Sequence, residues 1–278
     1  HVTALAGLCH GVSHAPPGPA ERLALAGPHG VVLPGPDRPV TIIGERINPT
    51  GKKKLQAALR EGEMRPVRQL AAEQVRDGAE LLDVNAGMAG IDETEVMLQI
   101  VRALSPATEA PLVLDSSSPE VLSAALRLYP GRALVNSITA ERKKLERLLP
   151  VAAEYGAAVI ILPLDEDEVP ARWERRAELI RQIFAKCEAH GLRKCDVVVD
   201  GLVMTISSDH NAGRQTLRTV RWAAEEFGVN AMMGTSNVSF GLPGRRWLNS
   251  TFLSMGVAGG LTMAIVNPGA KGMMETKA

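Results

Sequence analysis

The chain has 278 residues, a length that suits one β/α barrel of around 250 residues and is sufficient to bury a full core. Its 31 basic residues cancel its 31 acidic ones, so no global field draws it to nucleic acid, an anionic membrane or a highly charged polymer. Aromatic residues make up only 3%, too few for base-stacking platforms, and no apolar stretch reaches the ~18 residues of a membrane span, so the expectation is a soluble cytoplasmic protein with a small or locally charged partner.

Residues 1–38 differ in composition from the rest of the chain. Pro16, Pro17, Pro19, Pro28, Pro34 and Pro36 punctuate a stretch rich in Ala and Gly, with one short helical candidate from Ala20 to Ala26. This segment reads as a Pro/Gly-rich N-terminal extension or interdomain linker, and a start at His1 rather than Met fits a piece of a longer polypeptide. Residues 39–278 read as one domain.

Eight short apolar runs recur along that domain, and nearly all end in Asn, Asp or Glu. They are Val40 to Glu45, Glu80 to Asn85, Leu112 to Asp115, Ala133 to Asn136, Ala158 to Leu162, Val197 to Asp200, Ala231 to Asn237 and Leu261 to Asn267. Each of the first seven precedes a stretch with helical periodicity. The first is Leu55 to Gly78, with a break near Gly62; Pro119 to Leu128 begins with Pro in its first turn. Glu141 to Tyr155, Ala171 to His190 and Arg214 to Phe227 stop at Gly156, Gly191 and Gly228, and Trp247 to Val257 stops before Gly259 and Gly260. Strands alternating with helices imply parallel pairing with right-handed crossovers, and eight such units close into a (β/α)8 TIM barrel. The residues after the eighth run, Gly269 to Ala278, are too few for a full outer helix.

The three cysteines, Cys9, Cys187 and Cys195, form no CxxC pair, and the six histidines show no HExxH. Neither a disulfide framework nor a zinc site is indicated, and no metal is expected in this domain. The acidic run Asp165 to Glu168 before Pro170 reads as a solvated loop and helix start.

In such barrels the loops after the strands form the active face. Asp115, Asn136 and Asp200 come from the third, fourth and sixth strands and converge at one side of the mouth. Such residues also cap the helices that come after them, a structural role worth about 1 kcal/mol each. As a set, carboxylates accept paired hydrogen bonds from an amino-NH edge while an Asn amide donates and accepts, which suits a flat heterocycle such as a pterin. The same set also suits a sugar, or a divalent cation held through oxygen.

Further segments narrow this choice by resemblance. Gly44-Glu45-Arg46-Ile47-Asn48-Pro49-Thr50-Gly51, Leu82-Asp83-Val84-Asn85, Leu114-Asp115-Ser116 and Val135-Asn136-Ser137 resemble the pterin-binding methyltransferase family. Ser236-Asn237-Val238-Ser239-Phe240-Gly241-Leu242-Pro243, followed by Arg245 and Asn249, adds to the likeness, which covers residues 40–275 in order. Within the family the chain is similar to the folate-binding domain of cobalamin-dependent methionine synthase and to the methyltetrahydrofolate:corrinoid protein methyltransferases of acetogens.

The resemblance implies that 5-methyltetrahydrofolate is the substrate and that its N5 methyl group passes to cob(I)alamin carried by a partner domain or protein. It implies that Asp115, Asn136 and Asp200 hold the pterin and that Asn237 reaches N5 as the catalytic stabiliser. Glu45, Asn48 and Arg245 would line the pocket, while Asp83 and Asn85 would organise its surroundings or touch the ligand. The sixth strand departs from the family's Asp-Pro with Asp200-Gly201, which leaves the shape of that loop open. Asp209 and His210 lie on an active-face loop, with solvation as their expected role. Admission of a whole corrinoid protein calls for a wide apolar rim, with Met204, Phe240 and Leu242 as candidates.

Phe240 to Pro243 and Pro49 to Gly51 favour the methionine synthase type over the acetogen type. Three dispersed cysteines cannot form the zinc site that the homocysteine half-reaction requires, so only the folate half is expected here. Dihydropteroate synthase is a more distant reading, because its Asn-x-Thr-Pro-Asp-Ser-Phe loop and its Ser-Arg-Lys feature are replaced by Glu45 to Asn48 and Ser236 to Ser239. A non-catalytic folate-presenting module is the remaining alternative.

Overall fold

The computed structural model describes residues 22–166 and 169–277. Eight strands, β1 (Thr41–Ile47), β2 (Leu81–Asn85), β3 (Leu112–Asp115), β4 (Leu134–Ile138), β5 (Ala158–Ile161), β6 (Val197–Asp200), β7 (Asn230–Gly234) and β8 (Met263–Val266), pair in parallel. They close into a barrel through the pairing of β8 with β1. The helices are α1 (Lys53–Arg60), α2 (Arg65–Arg76), α3 (Glu93–Leu104), α4 (Pro119–Leu128), α5 (Arg142–Glu154), α6 (Trp173–Ala189), α7 (Ala212–Trp222), α8 (Arg245–Ala258) and the short α9 (Met273–Lys277). The fold is a (β/α)8 TIM barrel.

The twofold period of the strands divides the core in two. Ile42, Leu82, Leu114, Val135, Val159, Val199, Ala231 and Ala264 point outward and pack under the helices. Their neighbours Ile43, Leu81, Val113, Leu134, Ile160, Val198, Met232 and Met263 point inward and fill the lower barrel. Moving two residues along each strand from this inward layer reaches Glu45, Asp83, Asp115, Asn136, Leu162, Asp200, Gly234 and Ile265. All eight line a single cavity at the C-terminal mouth. The site is therefore one pleat above an apolar floor, and the same alternation that builds the core aims its residues.

Two corrections concern the elements. The helical candidate from Ala20 to Ala26 is not a helix where it is described: Leu25–Ala26 forms a short antiparallel hairpin with Val31–Val32. Leu23 and Leu25 recur at period two, and both turn into the lower barrel against Ile43, Leu81 and Met263. Burial at that spacing outweighs Ala and Leu helix propensity. Ala20 and Glu21 lie outside the described residues, as do Pro16, Pro17, Pro19, Cys9 and the histidines His1, His10 and His14. The hairpin covers the N-terminal end of the barrel, where Ala26 and Arg132 exchange backbone hydrogen bonds of 3.0 and 2.8 Å.

The second correction is at β7, which does not extend to Asn237. It ends at Gly234, and a 3-10 turn, Thr235–Ser239, comes next. The expected break in the first helical stretch is present: Gly62, at φ +69°, separates α1 from α2. Left-handed Gly78, Gly156, Gly191 and Gly228 come after the helical segments that they were expected to stop. Trp222 is followed by a π-turn, Ala223–Phe227, before Gly228. Asp165 and Glu166 lie in a loop, with Arg175 holding Asp165 at 2.9 Å; Asp167 and Glu168 lie outside the described residues.

Candidate functional site

The mouth cavity encloses about 660 Å³. Of the residues singled out from sequence, Glu45, Asn48, Asp83, Asp115, Asn136, Asp200 and Asn237 line it, whereas Asn85 and Arg245 do not. Asn85 bonds Asp115, which does, and Arg245 bonds the residues on either side of Asn237.

Asn85, on the edge of β2, is in register with Asp115 of β3. Its Nδ2 donates to Asp115 Oδ2 at 2.9 Å, and its Oδ1 accepts from the Gly87 amide at 2.8 Å, so the side chain is fixed at both ends. Burial pushes the Asp115 carboxyl above the usual carboxylate range, and the Asn85 amide opposes the shift. One pleat lower, Asp83 Oδ1 accepts from Asn136 Nδ2 at 3.1 Å. Asp83 is only 4% exposed, and burial, then the nearby Asp115 charge, raises its pKa well above the ordinary value despite the Asn136 bond. Asp83 and Asp115 therefore favour sharing at least one proton in place of ionising together.

Glu45 is aimed by a device in the strand itself. A Cβ on Gly44 would lie 2.6 Å from Gln74 Oε1, so only glycine lets α2 bring Gln74 this close. Gln74 Oε1 then accepts from the Arg46 amide at 2.8 Å, in a stretch where β1 loses register with β2 between Gly44 and Ile47. Such irregularities often re-aim a side chain beside an active site. The Glu45 carboxylate accepts from Ser236 Oγ at 3.1 and 3.3 Å. Its pKa is raised by burial against the pull of Ser236, Lys52 and Arg245.

Arg245 opens α8 and reaches back to the turn after β7. Its Nη2 donates to the Ser236 carbonyl at 2.9 Å and its Nε to Ser239 Oγ at 3.1 Å, while Ser239 Oγ donates to Asn249 Oδ1 at 2.6 Å. Asn237 sits in the turn held by these bonds and faces the cavity. On the adjoining wall, Asp200 Oδ1 accepts from the Leu202 amide at 2.8 Å. Burial lifts the Asp200 carboxyl to about 6, against that amide and the Arg176 charge. Leu202, Val203 and Met204 continue this wall. At the rim Phe240 is 68% exposed, Leu242 is half-buried, and Asp209 and His210 face solvent.

Lys52, Gln74 and Ser236 also shape the site, and the sequence does not single them out. Lys52 lines the cavity and donates to the Arg46 carbonyl at 2.8 Å, yet in sequence it is only the first of three consecutive lysines, with nothing to set it apart from its neighbours. Gln74 shares the buried stripe of α2 with Val67 and Ala71, where an amide is out of place, but that becomes apparent only once the burial of the stripe is known. No group of three or more His, Cys, Asp or Glu side chains among the described residues could hold a metal ion. No helix among them is long and apolar enough to cross a membrane.

The family model described as pterin binding enzyme matches residues 44–267. A methylcorrinoid:tetrahydrofolate methyltransferase of Eubacterium limosum is 30% identical over 239 residues, which are 84% of this chain and 87% of that protein. The methionine synthase of Mycobacterium tuberculosis is 30% identical over 244 residues, 83% of this chain, but the chain spans only 20% of that longer protein. Among solved structures, a Yersinia pestis dihydropteroate synthase with a pterine-sulfa conjugate matches with a TM-score of 0.68 at 18% identity, over 92% of this chain and 96% of that one. At that identity the likeness concerns the fold.

Proposed function

Because this chain belongs to the pterin binding enzyme family, we propose that its mouth cavity binds 5-methyltetrahydrofolate and passes the N5 methyl group to cob(I)alamin carried by a partner domain or protein. The observation that carries this reading is the convergence of Asp83, Asp115, Asn136, Asp200 and Asn237, from five barrel segments, on one cavity above an apolar floor.

Asp115, Asn136 and Asp200 supply the acceptors and the one amide that a pterin's amino and NH edge requires. Asn85 and the Leu202 amide hold those carboxylates in place before the ligand arrives, so little ordering is left for binding. In the transfer the N5–methyl bond breaks, the methyl carbon bonds to the partner's cobalt, and N5 retains the electron pair and gains a proton. A tertiary amine is a poor leaving group, so this proton must be in place as the bond breaks. The Asn237 amide cannot supply it, but its dipole stabilises protonated N5 as charge shifts there. The Asp83 carboxyl, whose proton affinity burial raises and which is not needed as an acceptor for the ligand, is a proton reservoir in the same cavity wall.

The corrinoid is a co-substrate that approaches through the open mouth, past exposed Phe240. Transfer in the opposite sense, from a methylcorrinoid to tetrahydrofolate, is the second reading. It is favoured by the 87% coverage of the Eubacterium limosum relative, whose name states that direction. The same groups serve both, since N5 then loses the proton it would otherwise gain.

The test is calorimetric titration with 5-methyltetrahydrofolate, followed by single-turnover transfer to cob(I)alamin for wild type and Asn237→Ala. Transfer should fall by about 10² in the variant with binding largely retained. Binding without transfer in the wild type would leave a folate-presenting module, and absence of binding would overturn the pterin reading.

A further inference from the structure

Arg176 lies on α6 within the stripe formed by Ala177, Leu179, Ile180 and Ile183, and it is 1% exposed. Arginine is almost never buried this fully unless it is paired. Here its hydrogen bonds go to carbonyl and hydroxyl oxygens: Nε donates to the Pro170 carbonyl at 2.9 Å, and Nη1 to the Gly201 and Leu202 carbonyls at 2.9 Å each and to Thr216 Oγ1 at 3.5 Å. Thr216 Oγ1 also donates to the Leu202 carbonyl at 3.0 Å.

The segment so gripped is unusual in its own right. Leu202 has φ +56°, the left-handed region that a branched side chain disfavours. A Cβ on Gly201 would lie 2.8 Å from Val220 Cγ2 and 3.0 Å from Thr216 Cγ2, so this peptide lies flush against α7. With its carbonyl held from below, Leu202 presents its amide to Asp200 Oδ1 at 2.8 Å. The next two residues, Val203 and Met204, line the cavity.

We infer that Arg176 is a positioning residue for the pterin site: from beneath the loop after β6 it fixes the Gly201–Leu202 backbone, and through that backbone it aims the Asp200 carboxylate into the cavity. This inference rests on the proposed pterin function for its ligand. The arrangement explains why a cation is retained where an apolar side chain of similar length would fill the space, since the guanidinium satisfies three carbonyls and stands as a positive charge behind Asp200. Burial lowers the Arg176 pKa to about 10, against the pull of Asp200 and Asp209, so it remains charged through the neutral range. Asp200 is faced by Arg176 from α6 and the Leu202 amide from its own loop, and shares the cavity with Glu45, Asp83 and Asp115 from β1, β2 and β3 and with Lys52.

The test compares wild type, Arg176→Gln and Arg176→Lys, each also on the Asp200→Asn background, by titrating 5-methyltetrahydrofolate from pH 5 to 8. Arg176→Gln should move the midpoint of pH-dependent binding upward by at least about half a unit, and Arg176→Lys should restore it. On the Asp200→Asn background neither substitution should have an effect on the profile. An equal loss of affinity at every pH, with the midpoint unmoved, would mean a structural role alone and overturn the inference. If the Gln variant does not fold, the Lys variant is read by double-mutant cycle: its affinity loss should vanish on the Asp200→Asn background, and full persistence there would overturn the inference. If the wild type binds no pterin, the function reading fails by itself. The inference is then read from ¹³C carboxyl NMR of Asp200 without ligand, where a midpoint unmoved by Arg176→Gln overturns it and a raised one supports it.

Discussion

Asp200 is pulled two ways by one proton. Its folded pKa of about 6 lies above the ordinary 3.8, so the folded state retains a proton that the unfolded chain releases. The resulting stability is complete below about pH 4 and is lost as pH rises through 6. Pterin binding has the opposite demand, because the ligand's N–H groups need an ionised acceptor. Asp200→Asn should therefore flatten the loss of stability between pH 4 and 7, measured by urea unfolding at several pH values. It should leave some slope, because Asp83 and Asp115 are shifted in the same direction. The variant should also show a smaller fall in affinity below about pH 6, the remainder belonging to Asp115. A second residue-scale prediction concerns Asn85: Asn85→Ala frees one Asp115 oxygen and should weaken 5-methyltetrahydrofolate binding about fivefold, the effect of about 1 kcal/mol, in calorimetry at pH 7. Asp83, Asp115, Asn136 and Asp200 were legible in sequence because a strand aims every second residue inward and each of the four stands at or near the end of an apolar run. Gln74 and Arg176 were not, because a polar residue inside a helical stripe is noticed only when the stripe's burial is known.

At the scale of elements, the short turn after β7 matters most, since it replaces the last part of a strand that the apolar run alone would continue. Thr235 is fully buried, and Ser236 and Ser239 are tied to Glu45, Arg245 and Asn249, so side-chain bonding holds the chain in a 3-10 turn. One of these bonds ties the turn to β1, far away in sequence, and the others tie it to the start of α8; neither partner is announced by the period of the apolar run. The α8 helix therefore acts on Asn237 at a distance. Arg245→Ala should loosen the turn and lower the single-turnover transfer rate by roughly tenfold, while affinity for 5-methyltetrahydrofolate changes by less than about threefold. A loss confined to affinity would instead make Arg245 a ligand contact. The helix ends were readable from glycine because left-handed φ is needed there; the hairpin at Leu25–Ala26 was not, because Ala and Leu match helical composition and only the spacing of Leu23 and Leu25 speaks for a strand.

For the whole molecule, the two ends of the barrel have different tasks. The lower end is closed by the hairpin, whose Leu23 and Leu25 are each 1% exposed. It is held by Arg132, which donates to the Ala24 carbonyl at 2.8 Å and to Asp196 Oδ1 at 2.6 Å, and by Tyr129, whose hydroxyl donates to the Ala26 carbonyl at 3.1 Å. Leu25→Ala should cost about 2–5 kcal/mol in chemical denaturation, the usual range for a buried leucine, with ligand affinity unchanged at a temperature where the variant is folded. A change in affinity would show that the ends communicate.

The inward layers have a consequence for how this pocket can change. Because a polar residue succeeds an apolar one at an interval of two on β1, β2, β3, β4 and β6, floor and site are separated by one strand repeat of roughly 6.6 Å. A shift of one residue in any strand would turn its contribution out of the barrel altogether. The depth at which a ligand rests is thus stepped, not continuous: a deeper or shallower pocket requires a whole layer to exchange character, whereas lateral shape can be altered one side chain at a time. Redesign for a new heterocycle should proceed around the ring before it proceeds down it.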